Sequence, residues 1–193
     1  MKYLLLFLAA SLSLAGSAQQ WTKQYDMVDE CTCGLALVTK NDKHGFVDKD
    51  GKLIVPLIYD DALHYQEGMA AVKKDGKWGY IDSTGKEVVP HIYSDANSFT
   101  EGLAVVLKGD NFGFIDMTGK VVIPFLYENA SSFSEGFAAV NKNGLWGYVD
   151  KNGKDVLPFK YNFAGSFSNG QAKVMKDGKW FLIDTTGKKV EEQ

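Results

Sequence analysis

The stretch DGKWGYIDSTGKEVVP, residues 75–90, holds a Trp-Gly-Tyr core, an acidic residue and a Gly-Lys pair, all groups that active sites use. Its surroundings decide what it is. Gly45, Gly79, Gly113 and Gly147 recur at a constant step of 34 residues. Asp48, Asp82, Asp116, Asp150 and Asp184 keep the same step, as do Pro56, Pro90, Pro124 and Pro158. Tyr25, Tyr59, Tyr93, Tyr127 and Tyr161 extend the pattern towards the N-terminus. No insertion breaks the register, so residues 75–90 belong to one copy of a tandem unit.

Within the unit, short apolar strands alternate with turn signals and leave no room for a helical period. Asp75-Gly76 is a two-residue hairpin signal of type I′, in which both central residues need positive φ. Asn41-Asp42, Gly109-Asp110, Asn143-Gly144 and Asp177-Gly178 hold the same place, and all tolerate that conformation. Such a turn sets Lys73 opposite Trp78, Val72 opposite Gly79, Ala71 opposite Tyr80 and Ala70 opposite Ile81. Ala70, Val72, Gly79 and Ile81 then share a small apolar face, read as the core face. Trp78, Tyr80, Ala71 and Lys73 share the other. Its equivalents include Gln171 and Lys173, which predicts an at least partly wet face.

A second turn, DSTGK, follows at Asp82–Lys86 and recurs as DKDGK, DMTGK, DKNGK and DTTGK. Asp opens it and Gly85 takes the left-handed position. The next strand is expected to end at Pro90, before a connection that anchors Tyr93 and Phe99 under the sheet. The expected fold is all-β: tandem 34-residue antiparallel hairpins forming an open twisted solenoid-like array, with a propeller-like ring segment as the alternative. Irregular ends suggest caps, since Thr22 stands in the Pro slot, Phe181 in the Gly slot and Glu191 in an apolar slot.

Composition narrows the function classes. All 21 basic residues are Lys, and the net charge is −3. Arg supplies the planar fork that reads phosphate and guanine edges, so its absence argues against a nucleic-acid partner. Residues 1–18, MKYLLLFLAASLSLAGSA, read as a secretory signal peptide cut after Ala18. Their apolar run is too short to span a bilayer and no second one follows. The expected location is therefore the periplasm or the extracellular space, with no membrane insertion after signal removal. Residues 19–193 are read as one β domain: a half unit at 21–43, four units at 44–179 and a C-terminal cap at 180–193.

Chemical constellations are sparse. The recurrent Asp residues each bring one carboxylate to a turn, whereas Ca²⁺ wants six to eight oxygens, so turn capping accounts for them. Five residues separate Gly79 from Gly85 and Glu87 follows Lys86, which is not the phosphate-loop pattern. His44, His64 and His91 sit at three different phases of the repeat, without metal-ligand spacing. Cys31 and Cys33 admit a strained local disulfide, a redox pair, free thiols or pairing between chains. A flat strand holds residues i and i+2 too far apart for a bridge. No cofactor and no catalytic set are expected. The aromatic row is the ligand-binding candidate. Trp78, Phe112, Trp146 and Trp180 share one slot, and Tyr80, Phe114 and Tyr148 share the slot two residues on. Such a strip could stack on sugar rings or receive an extended peptide, or its rings could pack between units.

The repeated KWGYIDSTGKEVVP, followed by spaced Tyr, Ala and Phe and by EG-x-A-x-V, resembles the WG-repeat family, also called KWG repeats. The resemblance covers residues 24–190. His44 and Phe112 depart from it in the Trp slot, Phe181 in the Gly slot, and Cys33 and Asn169 in the Glu slot. It implies a β-rich repeat architecture and an interaction role, and it carries no catalytic set. The expectation is an exported, non-enzymatic module that binds or scaffolds a protein or glycan through its aromatic face. A structural spacer of the envelope and a thiol- or metal-dependent enzyme built on Cys31, Cys33 and the histidines are the alternatives.

Overall fold

The computed structural model describes residues 20–190. The expected signal peptide and the last three residues of the expected cap lie outside them. A short 3-10 turn at Trp21–Gln24 precedes five antiparallel sheets. The first holds β1 (Met27–Thr32), β2 (Leu35–Lys40), β3 (Lys43–Asp48) and β4 (Leu53–Tyr59). The second holds β5 (Asp61–Ala62), β6 (Met69–Lys74), β7 (Lys77–Asp82) and β8 (Glu87–Tyr93). The third holds β9 (Asp95–Ala96), β10 (Leu103–Lys108), β11 (Asn111–Asp116) and β12 (Val121–Tyr127). The fourth holds β13 (Asn129–Ala130), β14 (Ala138–Lys142), β15 (Leu145–Val149) and β16 (Asp155–Tyr161). The fifth has three strands, β17 (Phe163–Ala164), β18 (Gln171–Lys176) and β19 (Lys179–Asp184).

Turn chemistry sets the registers. Asp75 and Gly76 have φ of 51° and 76°, the left-handed pair that a type I′ turn requires. The strands they join pair Lys73 with Trp78, Val72 with Gly79, Ala71 with Tyr80 and Ala70 with Ile81, as expected. At Gly109-Asp110 only Gly109 is positive, at 64°, the pattern of a II′ turn.

In the second turn, Asp82 Oδ1 accepts from Thr84 N–H at 2.9 Å, Thr84 Oγ1 at 2.6 Å and Lys86 N–H at 3.1 Å. Asp116 and Asp184 repeat this with Thr118 and Thr186. The threonine hydroxyl bonds hold all three carboxyls below their ordinary 3.8. A carboxyl lowered by folding stabilises the fold above its unfolded value, and that contribution is lost as pH falls through the folded value. Melting temperature is therefore expected to stay flat from neutral pH to about 5 and to drop below about 4. Asp116→Asn is expected to make the acid limb shallower; an unchanged limb in circular-dichroism melts would refute the assignment.

The fourth strand of each four-stranded sheet continues three residues past its proline, beyond the expected end at Pro90. It is the sheet's outer edge, where proline's missing N–H breaks no ladder bond. Bulged register brings this strand across the glycine of the preceding one. A Cβ on Gly79 would stand 2.6 Å from the Val89 carbonyl oxygen and 2.9 Å from His91 N.

Sheets stack face to face, and both faces of the internal sheets are core. Met69, Ala71, Trp78 and Tyr80 of the second sheet pack on Ala96, Phe99, Ala104, Val106 and Ile115 of the third. The same junction recurs between the first and second, third and fourth, and fourth and fifth sheets. The larger side chains of one sheet thus lie on the Ala/Val face of the next, so the expectation of a wet aromatic face is corrected. Gln171 and Lys173, which suggested it, belong to the fifth sheet, where no further sheet covers them among the described residues.

Glutamates add a polar link. Glu67 accepts from the N–H groups of Glu101 (2.8 Å) and Gly102 (2.9 Å), one repeat on. Glu101 accepts from Gly136 N–H at 3.1 Å, and Glu135 from Gly170 N–H at 2.8 Å. These are charge-assisted bonds to the tight turn of the neighbouring sheet.

The two ends differ. Trp21, Tyr25, Val28 and Leu57 cover the outward Ala36, Val38 and Val47 of the first sheet. At the other end Trp180 is 51% and Leu182 40% exposed. Across the described residues the sheets form an open array.

Candidate functional site

Two-sided burial sorts the aromatic row. Tyr80, Phe114 and Tyr148 are fully buried, and Trp78 nearly so. Phe112 and Trp146 are half-buried. The Tyr80 hydroxyl donates to the Asn97 carbonyl at 2.7 Å, and that of Tyr148 to the Gly165 carbonyl at 2.7 Å, both in the next sheet. Burial pushes both phenols well above the usual tyrosine value. Tyr80 also meets the Phe99 ring at 4.8 Å, and Tyr148 that of Phe167 at 4.9 Å. Tyr80 and Tyr148 thus join sheets, so the expected continuous open aromatic strip is not formed, and among the described residues of the row Trp180 is the exposed member.

Trp180 lies on β19 of the fifth sheet, the last among the described residues. Its ring sits 5.3 Å from Phe163, which in turn lies 5.9 Å from Trp146. Lys173 Nζ is 5.1 Å from the Trp180 ring centroid, a cation–π distance. On the opposite face of the strand, Phe181 meets Tyr161 at 6.5 Å and Lys189 Nζ at 5.9 Å. The buried Tyr161 hydroxyl has no hydrogen-bond partner among the described residues. A shallow cleft of about 650 Å³ straddles this edge, lined by Lys176, Asp177, Lys179, Trp180, Phe181 and Lys189. An exposed indole with a surplus of ammonium groups suits an anionic or aromatic-stacking partner.

The remaining candidates do not converge. Cys31 and Cys33 are exposed free thiols, and Cys33 occupies the left-handed turn between β1 and β2 at φ 53°. Cys31 lies on the strand and Cys33 in the turn. His44 lies 3.2 Å from Thr39 Oγ1, His64 3.6 Å from Asp29 and His91 2.9 Å from Glu87, three separate places. Among the described residues no three His, Cys, Asp or Glu side chains gather as a metal site would require.

The model of the WG containing repeat matches residues 45–78, 78–112, 112–146 and 146–180. The chain belongs to the WG-repeat family. Its fold is similar to solved structures of very different sequence. Hsv2 of Kluyveromyces lactis superposes with a TM-score of 0.52 at 12% identity, over 82% of this chain and 59% of that one. A eukaryotic initiation factor does so with a TM-score of 0.56 at 12% identity, over 86% and 54%. Hsv2 of Kluyveromyces marxianus gives 0.53 at 11% identity, over 81% and 60%. This WG-repeat chain thus spans little more than half the length of these structures, and the likeness is one of fold. No curated protein matches it. Among the described residues no helix is long and apolar enough to cross a membrane.

Proposed function

We propose that this WG-repeat protein is an exported, non-enzymatic binding or scaffolding module that engages a protein or glycan partner through its last sheet. The observation that carries the reading is the contrast at one slot of the repeat. Trp78 is buried between sheets, whereas Trp180 is 51% exposed beside a cleft lined with lysines. An exposed tryptophan at a polar-rimmed recess is a characteristic anchor for a partner. The remainder of the array then serves as a rigid support, cross-linked by the glutamates and buried rings.

Trp180→Ala tests this directly, because an exposed side chain contributes little to folding and the variant is expected to melt within about 2 °C of the wild type. Immobilised wild type is expected to retain a ligand from an envelope fraction or a glycan array that Trp180→Ala loses. Retention of every ligand by the variant would remove the terminal sheet as the site. N-terminal sequencing of the exported protein is expected to begin at Gln19.

A further inference from the structure

We infer that the turn of Glu67 and Gly68, where the second sheet faces the first, binds a carboxylate brought by a partner. The inference goes beyond the function proposed above, because the site lies at another junction and does not involve Trp180.

The array shows three times what such a turn takes. Glu101 and Gly102 make the tight turn of the third sheet, with φ of 53° and 83°. Glu67 reaches across from the second sheet and places one oxygen on each of their N–H groups, Oε1 at 2.8 Å and Oε2 at 2.9 Å. The pair of donors thus matches the two oxygens of one planar carboxylate. Glu101 repeats the contact on Gly136 N–H at 3.1 Å, and Glu135 on Gly170 N–H at 2.8 Å.

The turn of Glu67 and Gly68 has the same shape, with φ of 53° and 82°. The residue one repeat earlier is Cys33 rather than a glutamate. Cys33 points across the same junction, but its S–H donates to the Tyr65 carbonyl at 3.8 Å. A thiol sulfur is a weak acceptor, and the side chain is shorter than that of glutamate. Neither the Glu67 nor the Gly68 N–H meets an acceptor among the described residues. Both residues are exposed, whereas Glu101, Gly102, Gly136 and Gly170 are half-buried. Residues 1–19 contain no Asp or Glu, so that segment has no acidic side chain to supply the missing group.

The ligand's chemistry follows from its counterparts inside the chain. Bonds from N–H to an ionised oxygen are roughly twice as strong as neutral ones. Donors already held by the turn need no reordering when the ligand arrives. An acidic side chain and a chain terminus bring the same carboxylate, and the carboxylate is what the turn reads.

The test follows the backbone amide signals of the full chain by two-dimensional NMR under reducing conditions. Sodium acetate is expected to move the Glu67 and Gly68 amide protons along a saturable curve and to leave Glu101 and Gly102 in place. Sodium chloride at matched ionic strength is expected to move neither pair. Cys33→Glu is expected to lose the acetate response, since its own carboxylate takes the position, and Cys33→Ser to keep it. The spectra themselves report that each variant is folded. Two short peptides separate the sources, an end-blocked Gly-Glu-Gly and a Gly-Gly-Gly with only its C-terminus free. The one that saturates at lower concentration names side chain or chain end, and either supports the site. An equal response to chloride, a response without saturation, or one retained in Cys33→Glu would overturn the inference. Wild-type signals already matching those of Cys33→Glu would overturn it too, because the chain would then fill the turn itself. Acetate binding with silence of both peptides removes a partner as the source. None of these outcomes bears on ligand retention through Trp180, which tests the proposed function separately.

Discussion

Gly79→Ala is expected to destabilise the protein by about 3 kcal/mol, the upper end of what overpacking a well-filled site costs. For a chain of this size that is a fall of roughly 6–12 °C in melting temperature. One methyl group does this because of what it meets: the Val89 carbonyl oxygen at 2.6 Å and His91 N at 2.9 Å, both backbone. Flexible side chains swing aside, but β8 can retreat only by giving up its ladder with β7. At the same phase on β19 the array holds Phe181, half-buried against Tyr161 and the Lys189 ammonium. A Gly79→Ala protein that melts with the wild type would show that the crossing is looser than 2.6 Å implies.

The same residues show what could be read in advance and what could not. Hairpin register was legible because Asp75-Gly76 and its equivalents admit few backbone conformations, and a two-residue turn leaves no freedom of pairing. The repeat and the turn-capping aspartates were legible for the same reason: each is a local constraint. The faces were not. Alternation along β6 and β7 separates two sets of side chains but cannot say that both are covered, because the covering sheet lies one repeat away. Gln171 and Lys173 gave a true signal of solvent, but one confined to the last sheet. Pro90 was legible as a ladder breaker, yet on an outer edge there was no ladder bond to break. The Glu67, Glu101 and Glu135 bonds were hidden because their partners are backbone N–H groups about one repeat away, which no side-chain pattern marks. For the candidate site, Trp180 was one of a row of equals in the sequence. Only its place on the last described sheet distinguishes it.

That distinction carries the second large effect. Tyr80→Ala is expected to cost about 3–5 kcal/mol, as large-to-small changes of buried aromatic residues do, or roughly 6–20 °C in melting temperature. Its ring fills the junction between the second and third sheets against Phe99, and its hydroxyl satisfies the Asn97 carbonyl. Tyr80→Phe separates the two contributions, since it keeps the ring and removes one hydrogen bond, at about 1 kcal/mol. Tyr148→Ala repeats the experiment one junction from the open end, with Phe167 and the Gly165 carbonyl as the lost partners. Trp180→Ala, from the same aromatic row, is expected to leave the melt almost unmoved and to act on binding instead. A ligand strip running the length of the array would give the opposite ranking, with internal and terminal aromatics alike in binding and neutral in stability. Thermal melts of Tyr80→Ala and Trp180→Ala side by side decide between the two, because burial between sheets and exposure at the end of a stack cannot produce the same pair of curves.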